Sequence, residues 1–346
     1  MTAAAPMEPL GFGVIGIGDI VKGTIAPAIL ADPRSSLVAA VSRDQGRADA
    51  FGAEFGVDFV TTDYDSMLGR DDVDAVFIAT PNALHAQQAI AAARAGKHVF
   101  CDKPLATSVS DAYNVAQACE DAGVTLGLNF HYRHLPWVED ARNIIRSGQL
   151  GEIQTIEVDV GSGTRNYTNW RADPAMAGIG SVFNVGVHML DVLSVILDAE
   201  PVAVSAMFDQ APGSGEVEMQ ALILITFDNG TLVYANCNEK AAYPRNTITI
   251  QGSEGRLIGE NVTRSREEGT LHLLTKDTRS LTNDTQTATS YPPPGAHQLC
   301  LSQFVEAVLS GGQPRATGID GLRSMQLCEA IAMSARSRRH VTVEPI

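Results

Sequence analysis

The sequence GFGVIGIGDIV at residues 11–21 has the form of a short buried strand that leads into a glycine turn and a helix. Gly16 permits a tight turn, and Gly18 lets backbone N–H groups approach a pyrophosphate at the helix N-terminus. Val21 stands where such turns usually have a third glycine, so we expect the helix and strand to pack slightly farther apart there. The context predicts a dinucleotide-binding turn, although the same glycines could merely turn a strand into a helix. The predicted cofactor contacts in this turn are Gly16, Gly18, Asp19 and Ile20.

The first third of the chain alternates short apolar runs with amphipathic segments. We predict strands at residues 11–15, 37–41, 59–60, 73–78, 98–100 and 124–128. Helices are predicted from the glycine turn to about residue 30, at 45–55 and at 84–95. Strands rich in Val, Ile and Ala that alternate with helices indicate a parallel sheet covered on both faces. Residues 1–128 are therefore predicted to form a doubly wound α/β domain.

After residue 128 the pattern changes to one helix and then longer strands of alternating character. The helix is predicted at residues 136–147, and the strands at 153–160, 202–208, 218–227, 230–236 and 246–252. Turns such as Asp228-Asn229-Gly230 suit antiparallel neighbours. Residues 279–296 are predicted to form a surface loop, before closing helices at 297–310 and 319–337. We expect residues 129–346 to form a second, α+β domain.

Composition limits the partners of the protein. Lys and Arg number 25 against 40 Asp and Glu, which gives 346 residues a formal net charge of −15. Such an acidic surface repels phosphate backbones and anionic lipids, so we expect neither a nucleic-acid nor a membrane partner. No stretch approaches the ~20 apolar residues that cross a bilayer, and no basic segment precedes an apolar run at the N-terminus. A cytoplasmic protein is expected.

The cysteines indicate neither a disulfide framework nor a zinc site. They are odd in number and scattered without CxxC spacing, at Cys101, Cys119, Cys237, Cys300 and Cys328. We expect most of them to be buried thiols, and no metal.

The second strand ends at Ser42-Arg43-Asp44, where the cofactor ribose is expected. A free 2′-hydroxyl is usually held by an acidic residue, whereas a 2′-phosphate needs donors and positive charge. Ser42 supplies a hydroxyl, and Arg43 a guanidinium that can pair with phosphate and stack on adenine. These residues favour NADP(H), with NAD(H) possible. The alternative is that Arg43 points to solvent and Asp44 binds the ribose.

Two further segments follow strand ends, where ligands of doubly wound folds bind. Thr80-Pro81-Asn82 leads into a helix that includes His85, and these four residues are predicted cofactor contacts; a helix cap is the alternative role of Asn82. Asp102-Lys103-Pro104 follows another strand, and Asp102 and Lys103 are also assigned to the cofactor site. Lys103 can hydrogen-bond a substrate hydroxyl and stabilise a developing alkoxide, although a lone lysine is more often a surface residue.

The second domain contains a glycine-rich stretch, residues 178–191. If it is helical from Val182, then Asn184, His188 and Asp191 share one face. Histidine is the usual proton carrier near neutral pH, which makes His188 the candidate acid–base residue. The alternative is a core histidine held by Asp191. A metal site here, or at His131 and His134, lacks a third ligand with suitable spacing.

The order of these motifs resembles the glucose-fructose oxidoreductase and inositol dehydrogenase (Gfo/Idh/MocA) family. The resemblance extends through Asn246-x-Ile-x-Ile-x-Gly-Ser-Glu-Gly and Gly318-Ile-Asp-Gly, almost to the end of the chain. It implies an N-terminal Rossmann domain and a C-terminal domain with a large open mixed sheet. It also implies a nicotinamide cofactor, hydride transfer at a sugar or cyclitol carbon, and a homo-oligomer, dimer or tetramer.

Site residues carry over from the family position by position. Lys103 matches the lysine of its Glu-Lys-Pro motif, although Asp102 replaces the Glu, and His188 matches the catalytic histidine. Asn184 occupies the position usually held by aspartate; it cannot ionise, but its amide can orient a sugar hydroxyl. The resemblance implies further substrate contacts at Arg133, Tyr167, Trp170 and Arg171.

Together these features predict an NADP(H)-dependent oxidoreductase that acts on a secondary alcohol or lactol of a monosaccharide, sugar derivative or cyclitol. One rival is a nicotinamide-dependent glycoside hydrolase of the same fold, which oxidises a sugar transiently to allow elimination. Another is a regulator that binds NADP(H) without catalysis; it would need neither Lys103 nor His188.

Overall fold

The computed structural model describes residues 8–210, 214–263, 268–276, 284–292 and 295–345. The chain divides into two compact units. The first comprises the chain up to Phe130 together with His297–Leu322, and the second comprises His131–Ala296 together with the chain from Arg323 onward. The predicted domain boundary near residue 128 stays a prediction. The sequence did not indicate that the chain returns to the first unit over His297–Leu322.

The first unit contains a six-stranded parallel sheet. Its strands are β1 Leu10–Ile15, β2 Ser35–Val41, β3 Phe59–Thr61, β4 Ala75–Ile78, β5 His98–Cys101 and β6 Leu126–Leu128. They lie in the order β3-β2-β1-β4-β5-β6, so the strand order reverses between β1 and β4. This is the order of a Rossmann sheet, and the predicted fold class is confirmed.

Helices connect these strands. They are α1 Ala26–Ala31, α2 Gln45–Phe55, α3 Tyr64–Leu68, α4 Asn82–Arg94 and α5 Val109–Asp121. Every residue of β1 is buried, as expected for a central strand that is covered on both sides.

A helix from the end of the chain completes the core of the first unit. Phe304 lies on α9, Ala296–Ser310, and stacks on Phe100 of β5 with ring centroids 4.9 Å apart. A Cβ on Gly127 of β6 would lie 2.5 Å from the Phe304 ring, so only glycine allows this ring to pack so deeply. This contact explains why α9 groups with the first unit.

The second unit contains a nine-stranded mixed sheet. Its strands are β7 Ile153–Val160, β8 Pro201–Phe208, β9 Gln220–Phe227, β10 Leu232–Asn238, β11 Thr247–Gly252, β12 Gly255–Glu260, β13 Gly269–Lys276, β14 Asp284–Tyr291 and β15 Val341–Thr342. They lie in the order β14-β13-β12-β11-β7-β10-β9-β8-β15. Strands β7 and β10 pair in parallel, whereas the other neighbours are antiparallel.

The helices of this unit are α6 Pro136–Arg146, α7 Pro174–Ala177 and α8 Val187–Leu197, and α10 Gly318–Ser337 begins in the first unit and ends in the second. The helical run Pro174–Leu197 is long and apolar enough to resemble a membrane span, but 83% of its 18-residue window is buried inside the protein. Core helices of soluble proteins share these properties.

The prediction of a surface loop at residues 279–296 is wrong over Asp284–Tyr291, which form the edge strand β14. Its backbone pairs antiparallel with β13, and its threonines recur at every second position. Residues 286–290 are all exposed, so no apolar alternation marks the strand in the sequence, although β-branched threonine favours extended backbone. Residues 279–283 and 293–294 lie outside the described part of the chain. The five cysteines are all buried, as expected.

Candidate active site

The glycine turn after β1 has room for a ligand against its backbone. Gly16 has a φ of +93°, and a Cβ there would lie 2.7 Å from the carbonyl oxygen of Ala79 beyond β4. A Cβ on Gly18 would meet no atom within 4 Å, so its backbone faces open space. Gly16 therefore permits the close approach of two strand ends, and Gly18 leaves the space that a pyrophosphate needs. The residues present fit a dinucleotide.

Val21, which replaces the third glycine, is fully buried. It begins a π-helical segment, Val21–Ile25, that precedes α1. Because a π-helical turn is wider than an α-helical one, this start of the helix is compatible with a side chain larger than glycine.

Sequence reasoning missed a cation beside this turn. Arg47 Nη2 donates to the carbonyl oxygen of Ile17 at 2.8 Å, which brings a guanidinium to the glycine turn. The exposed Arg43 precedes Arg47 by four residues, and this spacing was the available signal. Asp44 caps α2 by accepting from Arg47 N at 2.8 Å, so one of its oxygens is already engaged. Ser42 is buried, and its Oγ accepts from Asp44 N at 3.4 Å.

The interpretation of Asn82 as a helix cap is wrong, because Pro81 occupies the cap position and Asn82 is the first residue of α4. His85 lies one turn further along. Its ring is buried, with Nδ1 2.7 Å from the carbonyl oxygen of Pro104 and Nε2 2.9 Å from that of Thr80. A neutral imidazole has one N–H and donates to one of them at a time. His85 therefore lies between the turn after β4 and the loop after β5, within hydrogen-bond distance of both.

Burial lowers the pKa of His85, which favours the neutral ring. Direct contact of His85 with a cofactor stays a prediction.

Lys103 follows β5 and is partly exposed. The preceding Asp102 accepts a hydrogen bond from Asn129 Nδ2 at 3.1 Å, and Asn129 Oδ1 lies 3.1 Å from Nδ1 of His297 on α9. The Lys103–Pro104 peptide bond is cis. The glycine turn, Thr80 and Lys103 thus follow neighbouring strands at one edge of the sheet.

In the second unit, His188 lies on α8 among aromatic rings. Its ring stacks on Tyr132 with centroids 4.5 Å apart and an interplanar angle of 15°. His131 meets it edge-on, with centroids 4.6 Å apart. The ring is buried, so its plane is set by packing rather than by solvent.

A buried ion pair holds α8 to the segment before α6. Arg133 Nε and Nη2 donate to the two oxygens of Asp191 at 2.8 and 2.6 Å. Both side chains are almost inaccessible to solvent. Asp191 therefore engages Arg133 in a bidentate pair, and the role of Arg133 in substrate binding stays a prediction.

The structure brings two pairs of predicted substrate residues together. Asn184 Nδ2 donates to the Tyr167 hydroxyl at 2.6 Å, and the Arg171 guanidinium lies 4.3 Å from the centre of the Trp170 ring. Asn184 lies in a π-helical segment, Val182–Gly186, directly before α8. Such segments are frequent at functional sites. Sequence reasoning missed Glu239, which accepts hydrogen bonds from both Tyr167 and Asn184.

Glu218 anchors the glycine-rich stretch before Asn184. Its carboxylate accepts from the backbone N–H groups of Gly180 at 2.6 Å and Val182 at 3.0 Å. A Cβ on Gly180 would lie 1.9 Å from the carbonyl oxygen of Glu218, so this approach requires glycine. Burial raises the pKa of Glu218 to about 7, because lost solvation outweighs the backbone donors.

We expect Glu218 to make the stability of the protein depend on pH. Its pKa is raised from 4.5 to about 7, so the folded protein holds this proton after the unfolded chain has released it. The resulting stabilisation is full below pH 4.5 and is lost as the pH rises to about 7. Between about pH 5 and 7.5, the free energy of unfolding should fall by about 2 kcal/mol relative to Glu218→Gln. Urea unfolding of both proteins measures this difference; parallel pH dependences would contradict the raised pKa.

Two family models match the chain. The first, GFO_IDH_MocA, is described as an oxidoreductase family with an NAD-binding Rossmann fold and matches residues 10–130. The second, the GFO/IDH/MocA C-terminal domain, matches residues 138–258. Together they cover more than half of the chain.

Whole proteins are also similar to this chain. 1,5-Anhydro-D-fructose reductase from Ensifer adhaerens is 30% identical over 335 residues, which are 96% of this chain and 98% of that protein. Aldose-aldose oxidoreductase from Caulobacter crescentus, complexed with glycerol, matches with a TM-score of 0.86 at 27% identity over 97% of this chain and 100% of that one. A mutant 3-ketoreductase from Actinomadura kijaniata, in complex with TDP-benzene and NADP, matches with a TM-score of 0.85 at 29% identity. The match covers 95% of this chain and 98% of that one.

Proposed function

The chain belongs to the GFO/IDH/MocA family of oxidoreductases, and from this premise we propose that it is an NADP(H)-dependent sugar or polyol dehydrogenase. Its substrate is a monosaccharide, a sugar derivative or a cyclitol. The observation that carries the proposal is the common position of the glycine turn, Thr80 and Lys103 after neighbouring parallel strands. His85 lies within hydrogen-bond distance of carbonyl oxygens in two of these loops. Ligands of open α/β sheets bind at this edge.

The chemistry of the chain's own residues is proton transfer and charge stabilisation. A nicotinamide dinucleotide, when bound, supplies the hydride acceptor or donor. In the oxidative direction His188 takes the proton of the substrate hydroxyl, and the Lys103 ammonium stabilises the developing alkoxide. Tyr167, Asn184, Trp170 and Arg171 orient the sugar.

We expect NADP(H) to bind at least about tenfold more tightly than NAD(H), because Ser42, Arg43 and Arg47 offer charge-assisted hydrogen bonds to a 2′-phosphate. Arg43→Ala should narrow this difference. Titration by quenching of intrinsic fluorescence measures both affinities, and Arg94→Ala, which removes an exposed arginine from α4, is the control. Equal affinities in the parent protein would contradict the preference.

A screen of NADP⁺ reduction across sugars and cyclitols, followed by the absorbance of the reduced nicotinamide, tests the activity itself. Net reduction separates a dehydrogenase from a glycoside hydrolase of this fold, which returns the hydride in each cycle. A regulator would bind NADP(H) and reduce none of the substrates.

The outer face of the second unit's sheet supports a homo-oligomer. Leu222, Leu224 and Tyr234 are exposed at alternate positions of β9 and β10, and Met207 of β8 is 71% exposed. Met207 pairs with Leu222 and Tyr234 with Leu224, so these side chains form a continuous apolar surface. A second copy of the chain covers this surface in our proposal, and we expect the oligomer to be cytoplasmic.

Leu224→Lys places a charge in that surface and should shift the protein to monomers in sedimentation velocity. Glu120→Lys, on an exposed position of α5 in the first unit, is the control and should leave the oligomer intact. A parent protein that is monomeric at micromolar concentration would contradict the proposed interface.

A further inference from the structure

Glu239 is a fully buried carboxylate directly after β10. Its Oε1 accepts hydrogen bonds from Ser162 Oγ at 2.7 Å and from Asn184 Nδ2, and its Oε2 accepts from the Tyr167 hydroxyl at 2.6 Å. We call Ser162, Tyr167, Asn184 and Glu239 the Glu239 cluster. Burying a carboxylate is costly unless donors surround it, so the three donors and the charge depend on one another.

These hydrogen bonds fix the orientation of the Asn184 amide. Its Nδ2 donates to Glu239 and also to the Tyr167 hydroxyl, which uses both of its hydrogens. The two acceptors therefore assign Nδ2 to the atom of the amide that meets Glu239 and Tyr167, and Oδ1 to the other atom. Oδ1 is an acceptor, the kind of atom that pairs with a donor such as a sugar hydroxyl.

The same contacts leave the Tyr167 hydroxyl able to accept a hydrogen bond from a ligand but not to donate one. Its proton goes to Glu239 Oε2, while its oxygen accepts from Asn184. Burial, followed by the charge of Glu239, raises the pKa of Tyr167 well above its usual value, so the phenol keeps its proton. The hydroxyl offers a ligand an oxygen lone pair rather than a proton.

We propose that Glu239 is a positioning residue, which orients the Asn184 amide. It carries the negative charge that an aspartate at position 184 would carry, and this charge lies one hydrogen bond away from residue 184. The inference rests on the proposed function, because it assigns Asn184 to the substrate. Aspartate at 184 would face the Glu239 carboxylate across a single hydrogen-bond distance, where two like charges repel. Asparagine is the residue that fits beside Glu239, and the pair acts as a unit.

An exchange of the charge tests this pair. We compare the parent with Asn184→Asp, Glu239→Gln and the double variant, and Glu120→Gln on the exposed face of α5 is the control for loss of one carboxylate. Asn184→Asp leaves two carboxylates in contact, and Glu239→Gln leaves at least one of the three donors without its acceptor, so each single variant should lower kcat by roughly 10- to 100-fold. In the double variant the amide introduced by Glu239→Gln donates to the carboxylate introduced by Asn184→Asp, so kcat should return to within about fivefold of the parent.

Restored turnover separates positioning from a merely structural role. Affinity for NADP(H) and the circular dichroism spectrum are recorded for every variant, so that kcat refers to folded, cofactor-binding protein. Two results would overturn the inference. One is a double variant whose kcat is no higher than that of the less active single variant, and the other is single variants whose kcat stays within about threefold of that of the parent protein. If the parent protein turns over no sugar, the proposed function fails. The coupling between residues 184 and 239 is then measured from the free energies of urea unfolding instead. Stability lost by each single and regained by the double then supports the pairing, and additive losses overturn it.

Discussion

We expect Lys103→Met to lower kcat by roughly 100- to 1000-fold, because methionine keeps much of the side-chain volume but removes the charge that we propose stabilises the developing alkoxide. The affinity for NADP(H) should change far less, since the glycine turn and the Ser42 region stay intact. Initial rates with the best substrate from the sugar screen, at saturating cofactor, measure the loss. In the proposed mechanism Lys103 contributes a positive charge, so Lys103→Arg should retain more activity than Lys103→Met.

Lys22→Met is the matched control for this prediction. Lys22 belongs to the same unit, and its Nζ lies 3.5 Å from Glu54 in an exposed ion pair of little energetic weight. The kcat of Lys22→Met should equal that of the parent protein. If Lys103→Met also stayed within about threefold of the parent, Lys103 would take no part in the reaction, and the assignment of the loop after β5 would be wrong.

His188→Asn should lower kcat/KM by about 100- to 10,000-fold, the usual contribution of a positioned acid–base group. Asparagine keeps hydrogen-bonding capacity but cannot carry a proton between the substrate and water. The stacking of His188 on Tyr132 and its edge contact with His131 hold the ring in one plane, so the loss is expected mainly in kcat rather than in KM.

His340→Asn serves as the control, because His340 is exposed and 3.3 Å from Ser205 near the C-terminal end of the chain. The thermal unfolding of His188→Asn is measured in parallel, since the replaced ring packs in a buried aromatic group. A folded His188→Asn protein with parental kcat/KM in both reaction directions would show that another group moves the proton.

The candidate site was only partly accessible from the sequence. The sequence predicts Gly16 and Gly18 as cofactor contacts, because the conformational demands of a phosphate-binding turn act on the residues of the turn itself. Lys103 and His188 were singled out by their motifs. Arg47 was missed, since its contact with the Ile17 carbonyl joins residues 30 positions apart. The strand β14 was also missed, because an exposed edge strand shows no apolar alternation.

By itself, the sequence determined the alternation of strands and helices, the glycine turn, the change to a second sheet and the order of the family's motifs. These are local properties, which follow from apolar periodicity and turn chemistry over a few residues. Only the tertiary structure decided that Phe304 completes the first core, that Asp191 binds Arg133, and that Glu239 holds Asn184 across a separation of 55 residues. A buried charge acquires its partner from the chain segments that fold around it, and nothing in its own neighbourhood along the sequence specifies that partner.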